Sequence, residues 1–330
     1  MTLRSSLQSA MRRFSAGIDV SAQAVRLVVL SRRLRTGGPM RVECVAAAAL
    51  SPGAMAGVEI VDRQAVARAL CDAFASVPAA CASHALRCSM AIPGSATLTA
   101  HLPMNQLAAE LASDVRPRGG VHRSLPVLEP VVLTEAERIA GIERHALAVD
   151  WIVEDSPRRG STVTIAATAR EHLEARIECA AMAGISLTAV DSEPHAALRA
   201  LRYAAALELD LHGPYAAIWV GSDGVYGWCI SDDSIAQEIR YPSPEYSDIA
   251  DALRDLADCS PSTFALVGGE IDLLEGVCFS LADIGDVLAC SVLPFECASL
   301  SDGKNALSSV HLHEPSFAVA FGLALRGVVE

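Results

Sequence analysis

The chain has 330 residues, 52% apolar and 20% charged, which is long enough for two cores and too apolar for a disordered polymer. A formal net charge of −13 with no basic stripe excludes a nucleic-acid partner, and 5% aromatics favour closely packed alanine-rich helices over an aromatic binding surface. Ten scattered cysteines, with no CxxC pair and no zinc-type His/Cys spacing, read as free thiols in a reducing compartment.

Residues 1–16 are basic, and neither an export signal nor a membrane span is predicted. Gly17 opens a strand where a signal peptide would need an apolar core, and the apolar run Cys44–Val58 is broken by Pro52 and Gly53. Leu3, Leu7, Met11 and Phe14 with Arg4, Arg12 and Arg13 make either a frayed tail or a short amphipathic helix touching a membrane face.

Gly17–Leu30 (GIDVSAQAVRLVVL) is two β-branched runs joined by the small polar run Ser21-Ala22-Gln23-Ala24, which predicts a β-hairpin. A turn of this kind can present unpaired backbone N–H groups to an anion, with Asp19 one step earlier holding Mg2+ through water. The alternative is a plain hairpin with a solvated Asp19. Arg32–Pro39 reads as a basic turn and Met40–Leu50 as a third strand. Asp62 caps a helix with Val66, Ala69, Leu70, Ala73, Phe74 and Val77 on one face, and Leu86, Cys88, Met90 and Ile92 alternate as a strand with one buried face.

Thr97–Pro103 predicts a strand and Asn105–Val115 a short helix. Arg116–Pro130 predicts an exposed loop, Glu135–Leu147 a helix, Ala148–Val153 a strand and Asp155–Gly160 a charged turn. Residues 97–161 thus read as an inserted subdomain of the sort that binds partners. Val163–Thr168 predicts a buried strand of the host domain, and Thr168 with Glu171 a capping box opening a helix that turns Leu173, Ile177, Ala180 and Ala181 inward and stops at Gly184. Ile185–Val190 is a strand ending at Asp191, and Pro194 starts the helix His195–Leu207.

Tyr215–Ile230 (YAAIWVGSDGVYGWCI) repeats the strand–turn–strand pattern, with its turn at Gly221-Ser222-Asp223-Gly224. Two such units predict a duplicated fold with a cleft that each turn faces. Asp248–Cys259 is an acidic amphipathic helix. Thr263–Val267 is a strand entering Gly268-Gly269, with a helix over Glu270–Leu281, and Ser316–Val328 is the last helix. The two glycines either admit a ligand or make an ordinary tight βα turn, and Glu270 either meets a ribose or favours a helix N-terminus. Asp232-Asp233 reads as a solvated turn, and His311 and His313 as surface residues of a strand.

Taken together, GIDVSAQAVRLVVLS, AIPGS (Ala91–Ser95), the Ile165–Leu201 block with its VDxEP at Val190–Pro194, LVGGEIDLLEGV (Leu266–Val277) and AFGLALRG (Ala320–Gly327) resemble the actin-like ATPase superfamily. Within it they resemble the type IV pilus assembly PilM family, related to the cell-division protein FtsA. The resemblance implies an α/β, actin-like (ribonuclease H-like) duplicated fold with an inserted α+β subdomain in the first half. Its first actin-like domain would cover 17–96 and 162–210, the insertion 97–161 and the second domain 211–330.

The resemblance also implies a cytoplasmic scaffold at the inner face of the inner membrane, in the type IV pilus machine or a related secretion or competence pilus. Its partner would be the N-terminal peptide of a PilN-type membrane protein, with other platform or motor proteins of the pilus, so that membrane association runs through the partner. ATP and Mg2+ would occupy the cleft, against Asp19, Ser21, Ala22, Gln23, Arg26, Asp191, Gly221, Ser222, Gly268, Gly269 and Glu270. The chain departs from the family's first loop, DIGSSSVK, with Ser21 at the glycine and Arg26 at the lysine, and places Trp219 where an acidic residue precedes the second loop. The expectation is a degenerate site, with ATP weakly bound or not bound and no meaningful turnover; the alternative is an active ATPase that switches partner contacts on hydrolysis.

Overall fold

A computed structural model describes residues 12–33, 40–82, 86–107, 125–156, 160–208, 213–232, 234–242, 249–259, 262–298 and 310–329. Contacts divide the chain into two compact units, one of residues 1–93 with 177–330 and the other of residues 94–176.

The first unit begins with β1 (Arg12–Val20), β2 (Ala24–Arg33) and β3 (Arg41–Ala49), an antiparallel meander in which Asp19 stands opposite Arg26. β1 starts five residues before Gly17, and Arg32 and Arg33 finish β2 instead of entering a turn. The rest of the predicted turn, 34–39, and most of the predicted N-terminal helix, 1–11, lie outside the described residues. Helix α1 (Arg63–Ala75) packs on β2 and β3. Asp62 caps it, its carboxylate accepting the Ala65 N–H at 2.9 Å. Strand β4 (Arg87–Ile92) lies parallel to β1 and is buried from Cys88 through Ile92, because an inner strand of a covered sheet loses alternation.

The second unit is a three-stranded antiparallel sheet and a helix. Its strands are β5 (Thr97–Pro103), β6 (Leu147–Ser156) and β7 (Gly160–Ala169), in the order β5-β7-β6, and α2 (Leu125–Ala140) packs on β6 and β7. Three differences from the sequence reading stand here. Residues 125–130, assigned to a loop, open α2: Leu128, Val132 and Ala136 are buried at four-residue spacing, and that burial outweighs the backbone hydrogen bond lost at Pro130. The helix therefore ends at Ala140 and not at Leu147. The strand at Val163–Thr168 belongs to β7, whose ladders with β5 and β6 place it in this unit. Of the predicted helix 105–115, residues 108–115 lie outside the described residues, as do 116–124 of the predicted loop and 157–159 of the charged turn.

Helix α3 (Arg170–Met182) follows. Thr168 sits in the β7 ladder and its hydroxyl donates to the Ala96 carbonyl at 2.8 Å, so the predicted capping box is not made. The buried positions are Ala175, Arg176, Cys179 and Ala180, while Ile177 is exposed. Gly184, at φ +72°, ends the turn as expected, with the Ile185 N–H on the Ala180 carbonyl.

The chain then returns to the first unit through β8 (Leu187–Ser192), parallel to β4, and α4 (Glu193–Glu208). The second sheet comprises β9 (Tyr215–Gly221), β10 (Gly224–Ser231), β11 (Ser234–Pro242), β12 (Phe264–Gly269) and β13 (Ser291–Pro294), with α5 (Ile249–Cys259) before β12 and α6 (Leu281–Leu288) before β13. The residues after Gly269 form only the short helix Asp272–Glu275, so Glu270 opens no long helix. His311 and His313 lie on a 3-10 turn, paired with Glu314 and Glu296, and not on a strand.

The sheets read β3-β2-β1-β4-β8 and β11-β10-β9-β12-β13. Each is three antiparallel strands followed by two parallel ones, which is the expected duplication. Helix α7 (Ala318–Val329) packs on β1, β2 and β4 as well as on α4, and α4 packs on β9 and β12. One apolar core thus runs from Val28 and Leu30 through both helices to Trp219 and Leu266. The molecule thus has a mixed α/β fold of two alike five-stranded sheets with an antiparallel subdomain sheet, as the resemblance implied.

Candidate functional site

The turns of the two sheets, with the end of β12, line a cavity of about 30 Å³ in the first unit. Of the predicted site residues, Asp19, Ser21, Ala22, Arg26, Gly221, Ser222, Gly269 and Glu270 line it, whereas Gln23, Asp191 and Gly268 do not. Sequence reasoning did not find Met55, Gly57, Pro93, Glu193, Ser316 or Val319 on its wall. Glu193 was within reach, since it follows Asp191 in VDxEP.

The first turn closes on itself. The Ser21 N–H donates to the Ala24 carbonyl at 3.0 Å, and the Ser21 hydroxyl accepts the N–H groups of Gln23 at 3.4 Å and Ala24 at 3.3 Å. Of the N–H groups expected to face an anion there, those of Ser21, Gln23 and Ala24 are therefore already used, because a serine side chain can supply the acceptor that an anion would bring.

Arg26 is the centre of the site's electrostatics. One guanidinium nitrogen meets Asp19 Oδ2 at 3.3 Å on the facing strand and another donates to Glu270 Oε1 at 2.8 Å, with all three side chains under 20% exposed. Burial pulls the guanidinium pKa down, but Asp19 and Glu270 together more than offset it and the pKa is raised. Glu270 gets there because Gly269 takes φ +103°, a turn that puts the Glu270 N–H on the Val220 carbonyl at 2.8 Å. A Cβ at 269 would run into that same carbonyl.

Asp191 is held on three sides. Oδ2 accepts from Arg199 at 2.9 Å and faces Arg326 at 3.2 Å, while Oδ1 accepts the Ser192 N–H at 2.9 Å. Burial raises its pKa, and the two arginines overcome that and hold it below the ordinary carboxylate range. Neither arginine was singled out from the sequence: Arg199 lies eight residues beyond Asp191 on α4, and Arg326 comes from α7, remote in the chain.

Trp219 is 3% exposed and packs its ring against Tyr226, centroids 5.2 Å apart. Its indole also covers Gly221, where any Cβ would strike the ring. Gly268 has a packing role: a Cβ there would lie 2.9 Å from the Ala318 Cβ. Among the described residues no cluster of three or more His, Cys, Asp or Glu could hold a metal ion, and no helix is long and apolar enough to cross a membrane.

Three solved structures illustrate the likeness. A chain of a PilM-PilN type IV pilus biogenesis complex is 18% identical with a TM-score of 0.70, over 95% of this chain and 98% of that one. Ethanolamine utilization protein EutJ from Carboxydothermus hydrogenoformans is 14% identical, TM-score 0.46, over 94% and 89%. A Bacteroides thetaiotaomicron protein with an actin-like ATPase fold and unknown function is 8% identical, TM-score 0.45, over 86% and 92%. The family profile of the type IV pilus assembly protein PilM matches residues 17–218, more than half of the sequence, so this chain belongs to the PilM family of type IV pilus assembly proteins.

Proposed function

We propose that the chain is a non-hydrolytic platform of a pilus assembly machine (or a related secretion or competence pilus). It would work on the cytoplasmic face of the inner membrane and bind the N-terminal peptide of a PilN-type membrane protein. The observation that carries this is family membership joined to a likeness, over nearly both full lengths, to the PilM-PilN complex. That likeness makes a PilN-type tail the natural first partner, and attachment to the membrane then follows from the partner. Other platform or motor proteins of the pilus would join through the same assembly.

Two features of the site support the non-hydrolytic reading. A drug-sized ligand needs roughly 300 Å³ or more, against about 30 Å³ here. Mg2+ binds through one or two carboxylates and substrate phosphates, and the carboxylate offered for it, Asp19, already carries an arginine partner. The residues present do not fit a Mg-nucleotide in this arrangement.

The test is fluorescence anisotropy with a labelled PilN-type N-terminal peptide. Wild type is expected to bind it, and Asp19→Asn to keep the affinity within about twofold, the outcome for a peptide site that shares no partner with Asp19. No binding by folded wild type overturns the partner. Mg-dependent phosphate release abolished by Asp19→Ala overturns the non-hydrolytic reading.

A further inference from the structure

Asp19 and Arg26 belong to the first sheet and Glu270 to the end of the second. The Asp19–Arg26–Glu270 chain of contacts is therefore a bridge between the two halves of the first unit, at 3.3 Å on one side and 2.8 Å on the other. We infer that Arg26 is a resident cation that ties the two sheets together from within, so that the width of the cleft is set by the chain itself and not by any exchangeable ligand. The inference extends the non-hydrolytic part of the proposed function and is independent of the partner.

Several features converge on this. The planar guanidinium offers donors in two directions at once, which a lysine ammonium on the same stem does less well, so the arginine at this position suits a two-sided bridge. Glu270 is brought to it by the left-handed turn at Gly269 and the hydrogen bond to Val220. The neighbouring space is taken by the Trp219 ring, and the Ser21 hydroxyl already satisfies turn N–H groups. Among the described residues, the wall of the cavity carries Asp19, Glu193 and Glu270 against the guanidinium of Arg26, an acidic balance that repels a free polyphosphate.

The experiment is amide hydrogen exchange on the full chain, read by mass spectrometry for wild type, Glu270→Gln and Arg26→Met, each with and without a large excess of Mg-ATP. Glu270→Gln removes the charge on the second sheet and leaves the Asp19–Arg26 pair. Peptides covering residues 19–26 and 268–272 are expected to exchange on the order of tenfold faster in both variants, the scale of a lost charged hydrogen bond, with the 94–176 unit unchanged. Mg-ATP is expected to alter no wild-type peptide. Equal exchange in wild type and Glu270→Gln overturns the bridge. Protection of residues 19–26 by Mg-ATP in wild type overturns it too, and that arm needs no variant to fold. Loss of peptide binding with the exchange pattern as expected would instead overturn the partner and leave the bridge standing.

Discussion

Gly322 lies in the middle of α7, where alanine would ordinarily gain about 1 kcal/mol of helix propensity. The structure reverses that sign. A Cβ at 322 would overlap the Ala196 carbonyl oxygen on α4 and lie 2.6 Å from its carbon, whereas ordinary contact begins at 3.4 Å. The obstacle is backbone, so no rotamer relieves it, and clearing the oxygen requires the helices to part by about 1.2 Å or more, enough to forfeit about half of the dispersion well along their contact. Overpacking of this kind costs about 1–3 kcal/mol, and the rigid neighbour argues for the upper end. After the propensity gain, Gly322→Ala should destabilise by about 2 kcal/mol, lowering Tm by roughly 4–8 °C for a unit of this size. The assay is thermal unfolding followed by far-UV circular dichroism, with Gly276→Ala as control. At Gly276 the nearest backbone atom to a new Cβ is the Leu273 carbonyl oxygen at 3.4 Å, so that change should stay within about 0.5 kcal/mol of wild type. A Gly322→Ala protein as stable as wild type would refute the close-approach argument. The same displacement would disturb Arg199, which donates to the Gly322 carbonyl at 3.1 Å as well as to Asp191.

Two further outcomes follow from the ionisable groups. Arg199 and Arg326 hold Asp191 below its unfolded pKa of about 3.8 despite burial, so its stabilisation is complete above that value and is lost as pH falls through the lower folded one. The gap in urea midpoint between wild type and Asp191→Asn should therefore be steady near neutral pH and shrink in acid below about pH 4, and a gap independent of pH would refute it. Burial pushes the thiols of Cys44, Cys81 and Cys88 up to about 11, whereas Cys71 and Cys278 are exposed. Iodoacetamide at about pH 8 should label Cys71 and Cys278 well before those three, as read by peptide mass mapping.

The two hairpins were legible because their signal is local: apolar, β-branched runs joined by small turn residues survive any tertiary setting. The Asp62 cap and the Gly184 stop were legible for the same reason. Thr168 and Glu171 have the spacing of a capping box, yet a ladder partner elsewhere took Thr168, and a four-residue pattern carries no trace of that competition. Pro130 was read as a breaker, although it removes one hydrogen bond from a helix whose apolar face is worth more. In the site, Asp19, Ser21, Gly221, Ser222 and Gly269 line the cavity as their turn positions suggested, while Gly57 and Pro93 line it with no such signal, and neither Arg199 nor Arg326 was singled out. Arg199 reaches Asp191 from two turns up the helix that follows it, with no motif to mark it, and Arg326 reaches it only because α7 packs on α4. The pairing of Arg26 with Asp19 follows from hairpin register; its pairing with Glu270, 244 residues away, does not.

Helix α7 is buried at every position from Ala318 to Leu325, and β1, which it covers, was laid down about three hundred residues earlier. While a ribosome is still making the segment between them, the inner face of the first sheet has nothing to rest on and stays wet. Contacts of such sequence separation slow folding and lengthen the time that sticky surface is on view. The newborn chain is thus a client for whatever chaperone waits at the exit tunnel until residue 318 and those after it emerge.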